Sequence, residues 1–198
     1  MTVKRIFDFN CSFLGIIILS PLLIFIALWI KFDSKGSVFF KQKRVGQYGK
    51  IIDVYKFRSM VNDAESLGLK ITVGQDPRIT RSGYYIRKSK IDELAQLFNV
   101  LNGSMSLVGP RPEVQEYIDV YPEDIKNLVL SVKPGITDFA SIEFKDENNL
   151  LKGAIDPHQT YINDILPIKQ KYYLQYVEQK SIWLDIKLIF QTIIAIIK

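Results

Sequence analysis

The sequence is short of cysteine and histidine: Cys11 and His158 are the only ones among 198 residues. One cysteine cannot form an internal disulfide framework, and so small a set of ligands excludes a clustered His/Cys metal site. The chain also lacks a Gly-x-Gly-x-x-Gly fingerprint, a Walker-type phosphate loop and a Gly-x-Ser-x-Gly elbow. Any nucleotide chemistry must therefore use another arrangement. The lack of disulfides is compatible with a reducing, cytoplasmic environment.

Positive charge and apolar residues coexist in an unusual proportion. A formal net charge of +5 accompanies 47% hydrophobic residues, and the apolar residues concentrate at the two ends of the chain. This asymmetry indicates a basic, membrane-associated protein with one ordinary domain. Its aromatic and basic residues are not interleaved as a base-stacking platform requires, so we expect no nucleic-acid partner.

The first apolar segment, residues 6–30, is long enough to be a membrane helix. About 20 apolar residues at roughly 1.5 Å each cross a hydrocarbon core of about 30 Å, and no small-x-small cleavage site follows them. Ser20-Pro21 interrupts the segment, where Pro removes a helical hydrogen bond that the Ser20 hydroxyl can replace. Basic residues flank both ends and all favour the cytoplasmic side: Lys4, Arg5, Lys31 and Lys35. A helix that breaks at Ser20-Pro21 and returns to the same side, and a Pro-kinked spanning helix, are both open.

The second apolar segment, residues 181–198, has sparse charges and carries Trp183 near its start. An interfacial helix with Trp at headgroup depth has this composition, and so does a core helix packed on its neighbours. Polar residues interrupt this apolar segment too often for it to be a second membrane-spanning helix. We therefore expect it to lie on the membrane surface or to be buried.

Between the apolar ends lies a basic region punctuated by turn residues. Residues 37–42 and 51–57 are rich in β-branched and aromatic side chains and enclose Gly46 and Gly49, which predicts a β-hairpin. The hairpin carries six cations, which could bind anionic lipid at the membrane surface or form a site for an anionic substrate. They are Lys41, Lys43, Arg44, Lys50, Lys56 and Arg58. A polar stretch at 143–160 is either a loop or a cover for a substrate.

Two adjacent carboxylates, Asp92 and Glu93, open an amphipathic run at residues 89–101. The structural explanation is a capping box from Ser89 to Asp92, with acidic residues at the positive end of a helix. The surrounding residues favour a catalytic role for the pair as well. Five cations precede it within 14 residues, and Arg111 lies between two prolines. Guanidinium groups bind phosphates and rigid turns aim them, as a diphosphate-and-metal site requires.

Eight short segments occur in a fixed order along the chain. They are KRIFD (4–8), SP (20–21), VFFKQKRVG (38–46), KFRSM (56–60), DPRITRSG (76–83), DELAQLFNVLNG (92–103), MSLVGPRP (105–112) and PGIT (134–137). Each alone is a weak signal, but the ordered set covers most of the chain and is specific. Together they resemble the small monotopic phosphoglycosyl transferases, which are grouped with the bacterial sugar transferases.

The resemblance implies an α/β, mostly helical fold in two parts. Residues 1–35 would form a re-entrant membrane helix broken at Ser20-Pro21, and residues 36–198 a small catalytic domain with a C-terminal interfacial helix. The domain would rest on interfacial amphipathic helices and face the cytoplasm from the bacterial inner (cytoplasmic) membrane. The implied reaction transfers a sugar 1-phosphate from a UDP-sugar to polyprenyl (undecaprenyl) phosphate, which starts the assembly of a bacterial glycan.

By the same resemblance, Asp92 is the nucleophile and forms a covalent phosphosugar-aspartate intermediate in a two-step reaction. Asp92 and Glu93 are also the expected ligands of Mg²⁺, and Glu93 either completes that site or manages the proton of the acceptor. The residues expected to bind the substrate phosphates are Arg87, Arg111, Lys56 and Arg58.

The sequence leaves the sugar and the assembly state open. Asp138-Phe139 follow the PGIT turn where the family more commonly carries Gly-Trp-Ala, which bears on sugar specificity. The resemblance implies an N-acetylated or amino-deoxy sugar, with a hexose as the alternative. Membrane lipids are further expected partners, and a homodimer is left open.

Two other functions are compatible with the composition. One is a spanning transferase that joins its two substrates directly, which the single broken apolar segment disfavours. The other is a non-enzymatic membrane-surface scaffold, which leaves the carboxylate pair and Arg111 without a purpose.

Overall fold

The computed structural model describes residues 2–62, 64, 76–151 and 153–197, and every structural statement below concerns these residues. Helices predominate in them, which confirms the mostly helical prediction. The α-helices are α1 Val3–Asp33, α2 Arg81–Lys88, α3 Gln96–Asn102, α4 Gln115–Asp119, α5 Glu123–Leu130, α6 Phe139–Glu143, α7 Glu147–Leu151, α8 Pro157–Thr160, α9 Leu166–Gln179 and α10 Ile182–Ile197. Short 3₁₀ segments lie at Gln47–Gly49 and Ile91–Ala95, and a π-helical turn at Tyr161–Ile165 joins α8 to α9.

The strands form two small sheets. The predicted hairpin is confirmed: β1 (Phe39–Val45) pairs antiparallel with β2 (Ile51–Phe57), and Gln42 lies opposite Val54. In the second sheet, β3 (Ser106–Val108) runs parallel to β4 (Gly135–Thr137). The carboxyl ends of β3 and β4 therefore lie side by side, where loops after parallel strands commonly carry functional residues.

Helix α1 is continuous across Pro21. The missing amide of Pro21 leaves the Ile17 carbonyl without its usual helical partner, and the Ser20 hydroxyl donates a hydrogen bond to that carbonyl at 2.8 Å. By length and composition, α1 is the one helix in the described residues that could cross a membrane. The structure confirms the apolar N-terminal helix, while its re-entry at Ser20-Pro21 stays a prediction.

Both ends of α1 are fastened to the same body of protein. Near its start, Arg5 donates hydrogen bonds to the carbonyls at the end of α3, with Nη2 2.8 Å from the Leu101 oxygen. At its last residue, the Asp33 carboxylate accepts hydrogen bonds from the amide and the hydroxyl of Ser82, at 2.9 and 2.8 Å. These hydrogen bonds attach both ends of the helix to the rest of the chain.

The inner face of α1 belongs to a core that continues into the rest of the protein. Leu23, Ile26 and Ile30 are buried against Phe57 of β2 and Ile86 of α2. Burying such side chains contributes about 1.5–3 kcal/mol each. Residues 1–35 and 36–198 therefore share one hydrophobic core, although α1 ends close to the predicted boundary.

Helix α10 uses its two faces differently. Its inner face is part of the core: Leu188 is fully buried, and Asp185 bonds Lys4 at 2.6 Å and Tyr176 at 2.9 Å. Its outer face is apolar and open, with Trp183 82% and Phe190 63% exposed. The structure thus confirms packing on the core for one face of α10, while the membrane-surface position of its exposed apolar face stays a prediction.

The predicted capping box at Ser89 is wrong. Helix α2 ends at Lys88, and the Ser89 hydroxyl turns back to donate to the Tyr85 carbonyl at 2.7 Å. Lys90 then adopts a left-handed conformation with φ 56°, which redirects the chain into the 3₁₀ segment Ile91–Ala95 before α3 begins. The amphipathic run is thus divided into a 3₁₀ turn and a short α-helix.

Candidate active site

The carboxylate pair is presented by the 3₁₀ segment Ile91–Ala95. Its apolar residues Ile91, Leu94 and Ala95 pack on the core formed with α1 and β2. This packing fixes the segment and leaves Asp92 and Glu93 beside the end of β2 and the loop after β3. The predicted cations Lys56 and Arg111 lie on those two elements.

Glu93 is held by two cations. Arg111 donates two hydrogen bonds to its carboxylate, from Nη1 to Oε2 at 3.2 Å and from Nη2 to Oε1. The Nζ of Lys56 lies 3.6 Å from the same Oε1. Burial opposes ionisation of Glu93, but the charges of Arg111 and Lys56 outweigh it and hold its pKa well below the usual range. Glu93 is therefore an ionised partner for these cations at neutral pH.

Arg111 is aimed by a rigid turn at the carboxyl ends of β3 and β4. It lies between Pro110 and Pro112, which fix the backbone on either side. Gly109 and Gly135 let the two strands approach, since a Cβ on Gly135 would meet the Gly109 amide nitrogen at 2.1 Å. The Glu93 charge, partly opposed by burial, raises the pKa of Arg111 well above its usual value, so its positive charge is secure.

Asp92 differs from its neighbour. Among the described residues, no hydrogen bond or salt bridge engages its carboxylate. Burial raises its pKa, the adjacent Glu93 charge adds to that rise, and Lys56, Arg87 and Arg111 oppose it. The site therefore contains one carboxylate already committed to cations and one that is free to engage another group.

The structure brings together most of the predicted residues but not all. Arg87, in the last turn of α2, and Lys56, at the end of β2, both act electrostatically on Asp92. Arg58 is not brought to this cluster. Its buried guanidinium donates to the Ser34 carbonyl at 2.7 Å and to the Lys35 carbonyl, and so caps the end of α1.

Two residues outside the predicted set of site residues, Arg44 and Gln96, line a cavity together with Lys56 and Arg111. A small cavity of about 20 Å³ is lined by Gln42, Arg44, Val54, Lys56, Gln96, Arg111 and Pro112. Arg44 and Gln96 have no counterpart in the predicted site. The alternation of β1 could have found Arg44, because Gln42 and Arg44 share the sheet face of Val54 and Lys56. The cavity holds about one water molecule, so a sugar nucleotide must lie outside it.

A sealed carboxylate lies directly behind the site. Glu113 follows the Arg111-Pro112 turn, is 5% exposed, and accepts a hydrogen bond from the Tyr161 hydroxyl at 2.7 Å. Its oxygens lie 3.7 Å from Lys169 Nζ and 3.8 Å from Arg44 Nη1. The Glu113 carbonyl also accepts a hydrogen bond from the Val45 amide, at 2.9 Å. Glu113 thus fastens the Arg111 turn to β1 and α9.

The donor set fits a magnesium ion that arrives with its substrate. Among the described residues no group of three or more His, Cys, Asp or Glu side chains forms a ready-made metal site. Mg²⁺ is usually held by one or two carboxylates together with substrate phosphates and water. The free Asp92 carboxylate meets that requirement, and Glu93 could share an oxygen with the ion while it keeps Arg111.

Comparison with known proteins assigns this arrangement to a family. The profile described as "Bacterial sugar transferase" matches residues 1–198. A UDP-N-acetylgalactosamine-undecaprenyl-phosphate N-acetylgalactosaminephosphotransferase of Aeromonas hydrophila is 38% identical over an alignment of 198 residues that covers 98% of this chain and 44% of that protein.

Two further relatives show the range of lengths. An undecaprenyl-phosphate glucose phosphotransferase of Komagataeibacter xylinus is 43% identical over an alignment of 199 residues that covers 98% of this chain and 35% of that protein. The exopolysaccharide production protein PSS of Rhizobium leguminosarum bv. phaseoli is 38% identical over 203 residues, covering 98% of this chain and 95% of that protein. The chain thus spans less than half the length of the first two relatives and nearly all of the third.

Proposed function

Because the chain belongs to the bacterial sugar transferase family, we propose that it transfers a sugar 1-phosphate from a UDP-sugar to undecaprenyl phosphate. The names of two relatives support an undecaprenyl-phosphate acceptor, since both are undecaprenyl-phosphate sugar phosphotransferases. The product would be an undecaprenyl diphosphate sugar, on which a bacterial glycan is then built.

The observation that carries the proposal is the unequal state of Asp92 and Glu93. Glu93 is bonded to Arg111 and faces Lys56, whereas the Asp92 carboxylate has no hydrogen bond or salt bridge to a described residue. A nucleophilic carboxylate must keep an oxygen lone pair accessible to phosphorus, and cations must surround the incoming phosphates. Asp92 satisfies the first condition, and Lys56, Arg87 and Arg111 satisfy the second.

In the first step, a carboxylate oxygen of Asp92 forms a bond to the β-phosphorus of the UDP-sugar. The bond from that phosphorus to the bridging oxygen breaks, and UMP leaves with the electron pair. Arg87, Arg111 and Lys56 bind the phosphate oxygens and offset their negative charge against the attacking carboxylate. The enzyme then carries a sugar-phosphoryl group on Asp92 as a mixed anhydride.

In the second step, a phosphate oxygen of undecaprenyl phosphate attacks the same phosphorus. The bond to the Asp92 oxygen breaks, the free carboxylate is regenerated, and the lipid diphosphate sugar is released. Glu93 keeps Arg111 and Lys56 in place through both steps. Its depressed pKa makes it a poor proton acceptor, which favours this orienting role over management of the acceptor's proton.

Mg²⁺ belongs to the same proposal. Asp92 and Glu93 would hold it with phosphate oxygens of the substrate, and when bound it would neutralise charge on the diphosphate. The cations Arg87, Arg111 and Lys56 would share that task.

We further propose that α1 is monotopic, entering and leaving the membrane on the cytoplasmic face of the inner membrane. Both ends of α1 are anchored to the catalytic body, through Arg5 and Asp33. A straight span would carry one of these ends to the far side of the bilayer, away from its partners. The opposite face of α1 is apolar and exposed over most of its length, with Phe13, Ile18 and Phe25 at 47%, 74% and 61%.

The sugar of the donor is proposed to be an N-acetylated or amino-deoxy sugar, with a hexose as the alternative. The relatives differ on this point, since one is named for N-acetylgalactosamine and another for glucose. Asp138 and Phe139, after β4, stand where the family more commonly carries Gly-Trp-Ala, and the fully buried Asp138 carboxylate caps α6.

The proposal is tested by the release of UMP from a panel of UDP-sugars. Detergent-solubilised protein is supplied with Mg²⁺ and undecaprenyl phosphate, and wild type is compared with Asp92→Asn. Release with one donor, lost in the variant, is the expected result and names the sugar. Release that survives the substitution would exclude the covalent aspartate. No release with any donor, from protein that still binds vesicles, would favour a scaffold.

A further inference from the structure

Four aromatic rings form a continuous strip from α1 to α2 on the outside of the protein. The ring centroids of Phe25 and Trp29 are 6.1 Å apart, those of Trp29 and Tyr85 6.0 Å, and those of Tyr85 and Tyr84 5.3 Å. The strip is open: Phe25, Tyr84 and Tyr85 are 61%, 56% and 54% exposed. These four residues, called the aromatic strip below, therefore do more than fill the core.

The aromatic strip connects two different environments. At Phe25 it joins the exposed apolar face of α1, to which Leu28 also belongs. At Tyr84 it lies on α2 one turn before Arg87, which is in the last turn on the same side of the helix. Arg87 in turn acts electrostatically on Asp92. An apolar surface thus leads from the proposed membrane face to a cation beside the reactive carboxylate.

We propose that the aromatic strip is the docking surface for the isoprenoid chain of the acceptor, whose phosphate binds Arg87 beside Asp92. The inference rests on the proposed function for the chemical class of this acceptor. A lipid phosphate with a long unsaturated, methyl-branched chain matches a surface that is aromatic along its length and cationic at one end. Flat rings offer large apolar contact areas to such a chain at small cost in side-chain entropy.

The outer face of α2 is compatible with this depth in the membrane. Arg81 and Lys88 are exposed on the same side of the helix as Tyr84 and Tyr85. Cations and amphipathic aromatic rings are the side chains enriched at the membrane–water interface. The acceptor phosphate would therefore reach Arg87 at the level of the lipid headgroups, where it already resides.

Ordinary aromatic anchoring is the competing explanation, and the chain offers a matched control for it. Anchoring aromatics bind the interface without regard to which lipid is present. Trp183 on α10 is 82% exposed and, within the described part of the chain, has no aromatic ring partner. Trp29 and Trp183 are the two tryptophans of the protein. Each can thus be made the sole source of tryptophan fluorescence.

The experiment uses the full chain in phosphatidylcholine nanodiscs without any UDP-sugar. Trp183→Phe leaves Trp29 as the reporter, and Trp29→Phe leaves Trp183. Undecaprenyl phosphate, undecaprenol and phosphatidylglycerol are titrated in turn while the emission spectrum is recorded. Because no donor is present, the result does not depend on whether the chain releases UMP, and the two proposals fail separately.

We expect a saturable emission change with undecaprenyl phosphate when Trp29 reports, and none when Trp183 reports. Undecaprenol should give a weaker response, because it lacks the phosphate for Arg87. An equal response to phosphatidylglycerol would reduce the strip to a general lipid interface and overturn the proposal. No response at Trp29, or an equal one at Trp183, would overturn it as well.

A second variant tests the strip without changing the reporter. Tyr85→Ala in the Trp183→Phe background should raise the half-saturating concentration of undecaprenyl phosphate about three- to tenfold, the effect of losing one aromatic contact. Tyr85→Phe keeps the ring and should restore binding. Binding that is equally tight with Ala and Phe at this position would remove Tyr85, and with it the strip, from acceptor recognition.

Discussion

Two neighbouring regions of the protein place carboxylates beside cations. They differ in whether one carboxylate is without a hydrogen bond or salt bridge to a described residue. In the open region, Glu93 is bonded to Arg111 while Asp92 beside it has no such bond to a described residue. In the sealed region, Glu113 is 5% exposed and is engaged by Tyr161, Lys169 and Arg44. Both regions meet at the short turn that carries Arg111 and Glu113.

This difference indicates that the region around Glu113 stabilises the fold, whereas the region around Asp92 and Glu93 carries out the reaction. A buried carboxylate whose oxygens are all engaged stabilises the fold and resists further reaction. A carboxylate that is close to cations but not bonded to them can be used by a substrate without first breaking an internal bond. Substitutions in the open region should therefore reduce turnover, and those in the sealed region should reduce stability.

The largest effect is expected at Asp92. Asp92→Asn removes the nucleophilic oxygen charge and should lower kcat by about 10⁴- to 10⁶-fold, the range seen when one member of a nucleophilic catalytic group is lost. Its thermal unfolding midpoint should stay near that of wild type, because no bond within the described residues depends on this carboxylate. UMP release and a thermal melt measure the two quantities. Asp124→Asn, at an exposed site on α5, is the control that should change neither.

Glu93→Gln should have the second largest effect and should also change the pH dependence of the rate. Losing the charge partner of Arg111 is expected to lower kcat/KM about 10²-fold, as when one preorganised electrostatic contact is removed. The pKa of Asp92 is raised by burial and by the Glu93 charge, so it should fall in this variant. The acidic limb of the rate profile should then move to lower pH. A limb that stays in place would show that a group other than Asp92 titrates there.

Glu113→Gln should affect stability more than chemistry. Replacing this buried ionised carboxylate should lower the free energy of unfolding by about 1–3 kcal/mol, with less than a tenfold change in kcat. Burial opposes ionisation of Glu113, but Lys169 and Arg44 outweigh it and lower its pKa in the fold. Its stabilisation is therefore present above the pKa of an unfolded Glu, about 4.3, and declines as the pH falls below it.

Denaturant unfolding at neutral and acidic pH measures this effect. The difference between wild type and Glu113→Gln should narrow as the medium becomes acidic. Glu123→Gln, whose side chain is 76% exposed, is the matched control and should leave stability within a few tenths of a kcal/mol. A Glu113→Gln protein with unchanged stability and abolished turnover would reverse the assignment of the two regions.

The smallest effect is expected at Arg58, which belongs to the framework despite its basic surroundings in the sequence. Arg58→Lys keeps the charge but cannot reach both the Ser34 and Lys35 carbonyls, so we expect a loss of about 1 kcal/mol in stability. The KM for the donor should not change. A large rise in that KM would show that Arg58 takes part in binding the donor.

The parts of the fold that could be predicted are those determined by residues close together in the sequence. The hairpin followed from β-branched residues and the glycines between them, and the Ser20 hydroxyl does engage the carbonyl freed by Pro21. The region around Ser89 was misjudged, because the spacing to Asp92 fits a capping box while Lys90 takes a left-handed conformation. Nothing in the local pattern signals that reversal.

The proximity of residues in the candidate site was predictable for the carboxylates and less so for the cations. Asp92, Glu93, Lys56 and Arg111 are brought together as the motifs suggested. Arg58 is only two residues from Lys56, yet its carbonyl partners lie at the end of α1, a long-range contact that composition does not encode. Glu113 directly follows the MSLVGPRP segment, and the sequence assigns it no role, because its partners come from β1 and from the α8–α9 region.

The most direct test of the account is to look for the sugar-phosphoryl group on Asp92. Wild-type protein and Asp92→Asn are incubated with the donor identified by UMP release, in the absence of undecaprenyl phosphate, then quenched and digested. Mass spectrometry should find a hydroxylamine-sensitive sugar-phosphate adduct on the wild-type peptide that contains residue 92, and none in the variant. Adding undecaprenyl phosphate before the quench should discharge it. Turnover without an adduct under these conditions, or an adduct that persists in Asp92→Asn, would contradict the covalent role of Asp92.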